Sequence, residues 1–185
     1  MNNHSFVVQK TFIDGLLVLD PILYRDDRGF FYESFNQKLF NEYVSDCKFV
    51  QDNHSRSAKG TIRGLHYQKF PLAQDKLVRC IVGEIVDVAV DLRPDSKTFG
   101  LYFSIDLTAE NNLQLFIPKG FAHGFQVLSD YAEVNYKTSN YWSRDYEEIL
   151  KFNDPTIGVN WANLGVQPII SDRDLQGKFF NQLEF

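Results

Sequence analysis

The chain has 185 residues, and this length favours one compact domain, residues 1–185, that buries its own apolar core. Hydrophobic residues make up 44% and charged residues 23% of the sequence, which excludes a disordered chain and a fibrous one. The formal net charge of −5 argues against a general nucleic-acid binder, because such a protein presents a basic face.

Membrane and secretory signals are missing from the sequence. No run approaches the roughly 20 apolar residues that span a bilayer, and the start, MNNHSFVVQK, lacks a charged segment followed by an apolar stretch. Cys47 and Cys80 are the only cysteines, too few for a disulfide framework. We therefore expect a cytoplasmic protein that has no contact with membranes and whose two thiols are reduced.

A short helix is the first element predicted in chain order. It covers Gln37 to Val44, where apolar side chains form a stripe on one side of the helix. Asn36 precedes the stripe and is a candidate N-cap, because its side chain can accept a hydrogen bond from the first turn. Helix elsewhere in the chain is only weakly supported.

Three later segments alternate in character with the period of two that is typical of β-strands. Ile85 to Arg93 places Val86, Val88, Val90 and Leu92 on one face and Asp87, Ala89 and Asp91 on the other. The pattern returns at Leu113, Leu115 and Ile117, and again at Ala132, Val134, Tyr136 and Thr138. The first segment is predicted to be a half-buried strand, and the ring of Tyr136 is predicted to point inward. Such short strands between turn signals indicate an all-β sandwich or barrel.

Five polar clusters interrupt these strands, and polar groups are costly to bury unless they are paired or used. They occupy residues 26–35, 51–68, 117–125, 135–148 and 170–174. The clusters contain histidines, arginines and aromatic residues close together. Because the chain is acidic overall, an anionic ligand would have to be held by a few well-placed arginines among them.

The motifs in these clusters resemble those of the dTDP-4-dehydrorhamnose 3,5-epimerase family. RGLHYQ, KLVRCIVGEIVDVAVDLR, PKGFAHGF, YKTSNYW and NDPTIGVNW stand in the family's order and at its spacing, between Arg28 and Asp174. The resemblance implies an all-β, cupin-like double-stranded β-helix jelly roll with a few short helices. It also implies a homodimer that needs no metal or other cofactor and inverts carbons 3 and 5 of a dTDP-4-keto-6-deoxy sugar, in dTDP-rhamnose biosynthesis.

The resemblance assigns the catalytic residues. His66 is the base that takes a proton beside the keto group, and Asp174 orients its imidazole. A histidine suits this role because its ordinary pKa of about 6.5 lies near the operating pH. Tyr136 matches the tyrosine that acts as the acid on the opposite face. Lys76 matches the cation that stabilises the enolate oxygen, with His123 close by in the same pocket.

The resemblance also assigns the substrate-binding residues. Arg28 and Arg63 would clamp the diphosphate, because a guanidinium group matches phosphate oxygens with two hydrogen bonds. Trp142 stands where the family commonly has a tyrosine, and its larger ring is expected to stack on thymine. The remaining nucleotide contacts are expected from Glu33, Gln51, Asn53, Glu147 and Arg173.

Two details of geometry leave alternatives open. Asp174 fits the family pattern as the partner of His66, and Asp172 is the alternative. Arg63 and His66 are three residues apart, so a regular strand would send them to opposite faces. Gly64 between them would resolve this if it forms a β-bulge.

Three other functions compete with the double epimerase. A metal-dependent cupin usually has two histidines separated by one residue, whereas His66 is followed by Tyr67 and Gln68. A silent sugar-nucleotide binder would have no need of an opposed base and acid. An epimerase of carbon 3 alone shares the base, the acid and the fold, and the sequence does not separate it from the double epimerase.

Overall fold

Two antiparallel β-sheets lie face to face in the structure, a computed structural model that describes residues 5–184. The six-stranded sheet has the order β1 (Phe6–Lys10), β2 (Leu17–Pro21), β10 (Gln114–Ile117), β7 (Lys76–Val82), β12 (Tyr131–Thr138), β5 (Gln51–Ala58). The five-stranded sheet has the order β13 (Glu147–Ile149), β6 (Ile62–Gln68), β11 (Phe121–Val127), β8 (Glu84–Asp91), β9 (Tyr102–Thr108). Strands distant in sequence are neighbours in both sheets, so the predicted all-β, cupin-like jelly roll is confirmed.

The remaining elements are short. Strands β3 (Tyr24–Asp26) and β4 (Gly29–Phe31) form a separate two-stranded hairpin. The helices are α1 (Gln37–Tyr43), α2 (Asp172–Leu175) and a 3-10 turn at Phe180–Gln182. Within residues 5–184, none of these helices is long and apolar enough to cross a membrane.

The main core lies between the two sheets. Val78 and Val134 of the six-stranded sheet meet Ile85, Ala89 and Phe125 of the five-stranded sheet there, all buried. Burial of such apolar side chains is the largest favourable contribution to folding. The two sheets therefore form the rigid walls of any pocket that opens between them.

Each sheet is also covered on its outer face. Helix α1 places Phe40 against the six-stranded sheet, where its ring centroid lies 5.3 Å from that of Phe116. The predicted start of this helix is confirmed, because the side chain of Asn36 accepts hydrogen bonds from the backbone N–H groups of Lys38 and Leu39 at 3.0 and 3.2 Å.

The cover over the five-stranded sheet overturns one prediction. Strand β8 alternates as expected, but residues beyond Leu150 pack on its outer face, over Val88 and Val90. Its other face is buried as well, and Asp87 is 0% exposed. The prediction of a half-buried strand is therefore wrong. The Asp87 face lies against the other sheet, and a segment more than sixty residues further along the chain covers the valine face.

Candidate active site

One pocket of about 380 Å³ opens between the two sheets. Strands β5, β7 and β12 form one wall, and strands β6, β11 and β13 form the other. The side chains that line it are largely polar: Gln51, Asn53, Ser55, Arg63, His66, Gln74, Lys76, His123, Phe125, Tyr136, Thr138, Trp142 and Glu147. Nine of them are residues that the sequence predicted for the site, and they come from three separate polar clusters and from strand β7.

His66 is held from behind by Asp174. The ring Nε2 of His66 lies 2.7 Å from Oδ1 of Asp174, and the backbone N–H of Gly64 donates to the other carboxylate oxygen at 3.2 Å. Ser171 caps helix α2 and accepts from the backbone N–H of Asp174 at 3.1 Å, which fixes the carboxylate in place. The pairing with Asp174 leaves Nδ1 of His66 as the nitrogen able to take a proton. Asp172 is exposed, so Asp174 is the acid that contacts this ring.

The Asp174 carboxylate is poised in its charged form. Burial alone would raise the pKa of Asp174, but the hydrogen bond and charge of His66, with the Gly64 N–H and Ser171, hold it below its usual value. A charged carboxylate at this distance favours the tautomer of His66 that carries its hydrogen on Nε2. In that tautomer, the basic Nδ1 of His66 points away from Asp174.

The predicted bulge at Gly64 is present. His123 pairs with His66 and Phe125 pairs with Arg63, so two residues of β6 stand opposite one residue of β11. Gly64 has a φ of +132°, and an added Cβ would lie 2.6 Å from the Cα of Gly124. Only glycine fits such a conformation and such a close approach. The extra residue turns the chain so that Arg63 and His66 both line the pocket.

Lys76 is a buried cation beside the histidine strand. Its Nζ donates to the backbone carbonyl of His66 at 3.1 Å. Burial lowers the pKa of Lys76 to about 8, although the negative charges of Glu147 and Asp87 partly oppose this. The side chain is thus still mostly protonated at neutral pH and lies in a low-dielectric site, where a cation acts strongly on a nearby oxyanion.

His123 has a partner that sequence reasoning missed. Its Nε2 lies 2.9 and 3.0 Å from the two oxygens of Asp87, and both side chains are buried. Burial lowers the pKa of His123, and the neighbouring Lys76 and His66 lower it further against the pull of Asp87. The signal for Asp87 was an acidic residue inside the apolar run of β8, because a buried carboxylate requires a partner.

Tyr136 stands on the wall opposite His66. It belongs to β12 in the six-stranded sheet, whereas His66 belongs to β6 in the five-stranded sheet, and both line the pocket. The predicted inward direction of the ring is therefore confirmed. Burial raises the pKa of Tyr136, with a further rise from Glu147 and a fall from Arg63, so the phenol keeps its proton at neutral pH.

At the rim of the pocket, the side chains of Trp142, Glu147 and Arg173 are linked by a hydrogen bond and an ion pair. The indole N–H of Trp142 donates to Glu147 Oε2 at 2.8 Å, and Arg173 forms an ion pair with the same carboxylate. The backbone N–H of Trp142 donates to Gln51 at 3.1 Å. Trp142 is 52% exposed, so its ring offers a flat face at the mouth of the pocket.

Arg28 and Glu33 are not brought to this pocket. The β3–β4 hairpin holds Arg28 at the surface with its side chain 90% exposed, because Asp26 accepts both its backbone N–H at 2.9 Å and its Nε at 3.1 Å. Glu33, just after the hairpin, is also exposed. Within one chain, Arg28 and Glu33 therefore lie apart from the other eleven residues that were predicted for the site.

The arrangement supports proton transfer on both sides of a bound molecule. His66 can accept a proton on one wall, and Tyr136 can donate one from the other wall. Lys76, on the same wall as Tyr136, supplies positive charge to the pocket. Among residues 5–184, no group of three or more histidine, cysteine or carboxylate side chains is arranged to hold a metal ion.

Comparisons with a family model and with curated proteins both identify the same family. Residues 10–182 match the family model described as dTDP-4-dehydrorhamnose 3,5-epimerase. The chain is 52% identical over 180 residues to the dTDP-4-dehydrorhamnose 3,5-epimerase of Shigella flexneri, covering 96% of this chain and 98% of that one.

Solved structures give the same result. The dTDP-6-deoxy-D-glucose-3,5-epimerase of Legionella pneumophila Philadelphia 1, in complex with dTDP-4-keto-L-rhamnose, superposes with a TM-score of 0.93 at 44% identity, covering 97% of this chain and 95% of that one. A 3'-monoepimerase from Streptomyces bikiniensis in complex with dTDP-quinovose reaches 0.86 at 30% identity, covering 92% of this chain and 86% of that one.

Proposed function

Because the chain belongs to the dTDP-4-dehydrorhamnose 3,5-epimerase family, we propose that it inverts carbons 3 and 5 of dTDP-4-keto-6-deoxyglucose to give dTDP-4-keto-rhamnose, in dTDP-rhamnose biosynthesis. The observation that carries the proposal is the placement of His66 and Tyr136 on opposite walls of one pocket. Inversion at carbon requires a proton to leave from one face and another to arrive on the opposite face. A pocket with a base and an acid on facing walls meets that requirement.

The proposed reaction begins with removal of a proton. The ketone at carbon 4 makes the hydrogens on carbons 3 and 5 acidic, and Nδ1 of His66 takes the proton from one of them. The electron pair moves onto the carbonyl oxygen and forms an enolate. Lys76 stabilises this charge as a buried cation, with His123 beside it. The charge of Asp174 stabilises the protonated imidazole that results.

The second step returns a proton from the opposite wall. The hydroxyl of Tyr136 donates to the carbon as the enolate collapses back to the ketone, and the configuration is inverted. Solvent then restores the proton of Tyr136 and removes the one held by His66. The same pair acts again at the second carbon.

An epimerase of carbon 3 alone is the second candidate. The 3'-monoepimerase of Streptomyces bikiniensis has a similar fold at 30% identity, and the proposed base and acid would serve either outcome. The 52% identity to a 3,5-epimerase favours inversion at both carbons. Incubation with dTDP-4-keto-6-deoxyglucose in heavy water, followed by NMR, distinguishes the two, because deuterium enters at both carbons or only at carbon 3.

Two variants test the roles of the base and the acid. His66→Ala should abolish both deuterium exchange and inversion, because nothing remains to remove the proton. Tyr136→Phe keeps the base, so it should exchange deuterium with retention while inversion falls by about 10²–10⁴-fold. Normal exchange by folded His66→Ala, or inversion by Tyr136→Phe at the wild-type rate, would show that the roles are assigned wrongly.

The homodimer expected from the resemblance forms part of this proposal. The β3–β4 hairpin exposes the aromatic side chains of Tyr24, Phe30 and Phe31, which are 64%, 51% and 70% accessible, and a second copy could cover them. Arg28 and Glu33 lie on or beside this hairpin and would act on the substrate bound by the other copy. Mixing inactive His66→Ala with Arg28→Gln should then regenerate partial activity, whereas a monomer in light scattering would exclude this arrangement.

A further inference from the structure

The inward face of strand β5 carries a row of polar side chains. Alternation along the strand directs Gln51, Asn53, Ser55 and Ser57 to the side of the pocket. The amide of Gln51 donates to Asn53 Oδ1 at 2.8 Å, and Ser57 Oγ accepts from Nε of Arg63 at 2.8 Å. The hydroxyl of Ser55 is the member of the row that has no hydrogen-bond partner among residues 5–184.

The unpaired hydroxyl of Ser55 is also buried, and Ser55 is one of the residues that line the pocket. Burying a hydroxyl without a partner opposes folding, and native proteins avoid it unless the group serves another purpose. Alanine would fill this position in the fold without that cost. The presence of an unpaired serine at this position is best explained by a hydrogen bond from its hydroxyl to a ligand in the pocket.

Arg63 indicates which part of a ligand would lie here. Its Nε is committed to Ser57, so the two terminal nitrogens of the guanidinium group remain able to donate. Among the described residues, Arg63 forms no ion pair with a carboxylate. Ser57, which accepts from Arg63, is two residues from Ser55 on the same face of β5, so a charged donor and a neutral donor lie near one another in the pocket.

We propose that the hydroxyl of Ser55 donates a hydrogen bond to a phosphoryl oxygen of the substrate diphosphate, beside the guanidinium group of Arg63. The inference rests on the proposed function, because that function supplies the diphosphate. Phosphoryl oxygens are strong acceptors, and a hydrogen bond to a charged acceptor is about twice as strong as one between neutral groups. Ser57 acts as the positioning residue that holds the arginine toward the same group.

Binding of dTDP to Ser55→Ala tests the proposal directly. We expect calorimetry to show a roughly tenfold loss of affinity for dTDP, the loss that follows from one hydrogen bond to a charged group. Affinity for thymidine, which has no phosphate, should stay unchanged in a competition assay. The melting temperature should stay the same or rise, since the change removes an unpaired buried hydroxyl. Ser104→Ala, on the exposed side of β9, is the matched control and should change none of these values.

Two further variants strengthen the test. Ser55→Thr retains the hydroxyl and should recover most of the affinity for dTDP. Arg63→Gln should weaken dTDP binding by itself, and the double variant with Ser55→Ala should lose less than the product of the two single losses, because both donors act on one group.

The outcomes that overturn the proposal are distinct. Unchanged dTDP affinity in Ser55→Ala, or equal losses for dTDP and thymidine, would show that the hydroxyl does not contact the phosphates. A loss seen with the sugar nucleotide but not with dTDP would assign the hydroxyl to the sugar instead. None of these measurements requires turnover. Failure of the deuterium experiment would therefore refute the proposed reaction, whereas the dTDP measurements would still decide the role of Ser55.

Discussion

Replacement of Lys76 by methionine should make the protein more stable while it removes activity. Folding lowers the pKa of Lys76 from its ordinary value of 10.5 to about 8, because the ammonium group loses its water on burial. At about 1.36 kcal/mol for each pH unit, this corresponds to about 3 kcal/mol by which the charged side chain opposes folding at neutral pH. Loss of the hydrogen bond to the His66 carbonyl offsets part of the gain in Lys76→Met.

The pH dependence of the stability difference between wild type and Lys76→Met tests the desolvation of Lys76 more directly than the difference at one pH. Between the folded pKa of about 8 and the unfolded value of 10.5, the unfolded chain binds more protons, so the wild type becomes more stable as the pH rises. Lys76→Met lacks this contribution. Between about pH 7 and about pH 9.5, the advantage of the variant in free energy of unfolding should therefore shrink by about 2 kcal/mol.

Urea unfolding of the ligand-free protein at the two pH values measures this difference. Lys10→Met is the control, because Lys10 is exposed on strand β1 and its removal should leave the pH dependence of stability unchanged. An advantage of Lys76→Met that is the same at both pH values would refute the reasoning, since it would mean that the ammonium group is not desolvated by folding.

Three further measurements test the site. Trp142→Ala should weaken dTDP binding at least tenfold, because stacking of a base on an aromatic ring contributes about 1–3 kcal/mol; Trp142→Phe retains a flat face and should lose less, and equal affinity of all three proteins in calorimetry would assign Trp142 to the rim alone. Asp174→Asn should lower kcat by about 10²–10⁴-fold with little change in dTDP affinity, because the amide cannot hold His66 in the productive tautomer; a normal kcat in steady-state assays would contradict that role. Dialysis against a chelator should leave epimerase activity intact, and activity that was lost and then restored by one divalent ion would point to the metal-dependent alternative.

Local sequence patterns predicted the features that depend only on neighbouring residues: a helix cap, the direction of a strand side chain and a β-bulge. Asn36 caps helix α1 as its side chain allows, and the alternation along β12 gave the inward direction of Tyr136. The glycine between Arg63 and His66 likewise indicated the bulge, since glycine tolerates a conformation that other residues rarely adopt.

Features that depend on distant segments of the chain could not be predicted from local sequence patterns. The pairing of Asp87 with His123 joins residues 36 positions apart, and no local spacing indicates it. The polar face of β8 that carries Asp87 lies between the two sheets, and residues beyond Leu150 cover the valine face, so both faces are buried by segments distant in the sequence. The placement of Arg28 at the surface follows from a hairpin that packs apart from both main sheets, which the spacing of motifs does not reveal.

The bulge in β6 has a consequence for any attempt to move this histidine and carboxylate pair onto another protein. In a regular ladder, the backbone amides of a central strand are bonded to its neighbours, whereas the extra residue leaves the amide of Gly64 able to bond Asp174. One strand therefore supplies two donors to the same carboxylate, the imidazole of His66 and the amide of Gly64. A designer who copied only the two side chains onto a flat sheet would omit the second donor, and the transplanted carboxylate would be free to rotate away from the ring.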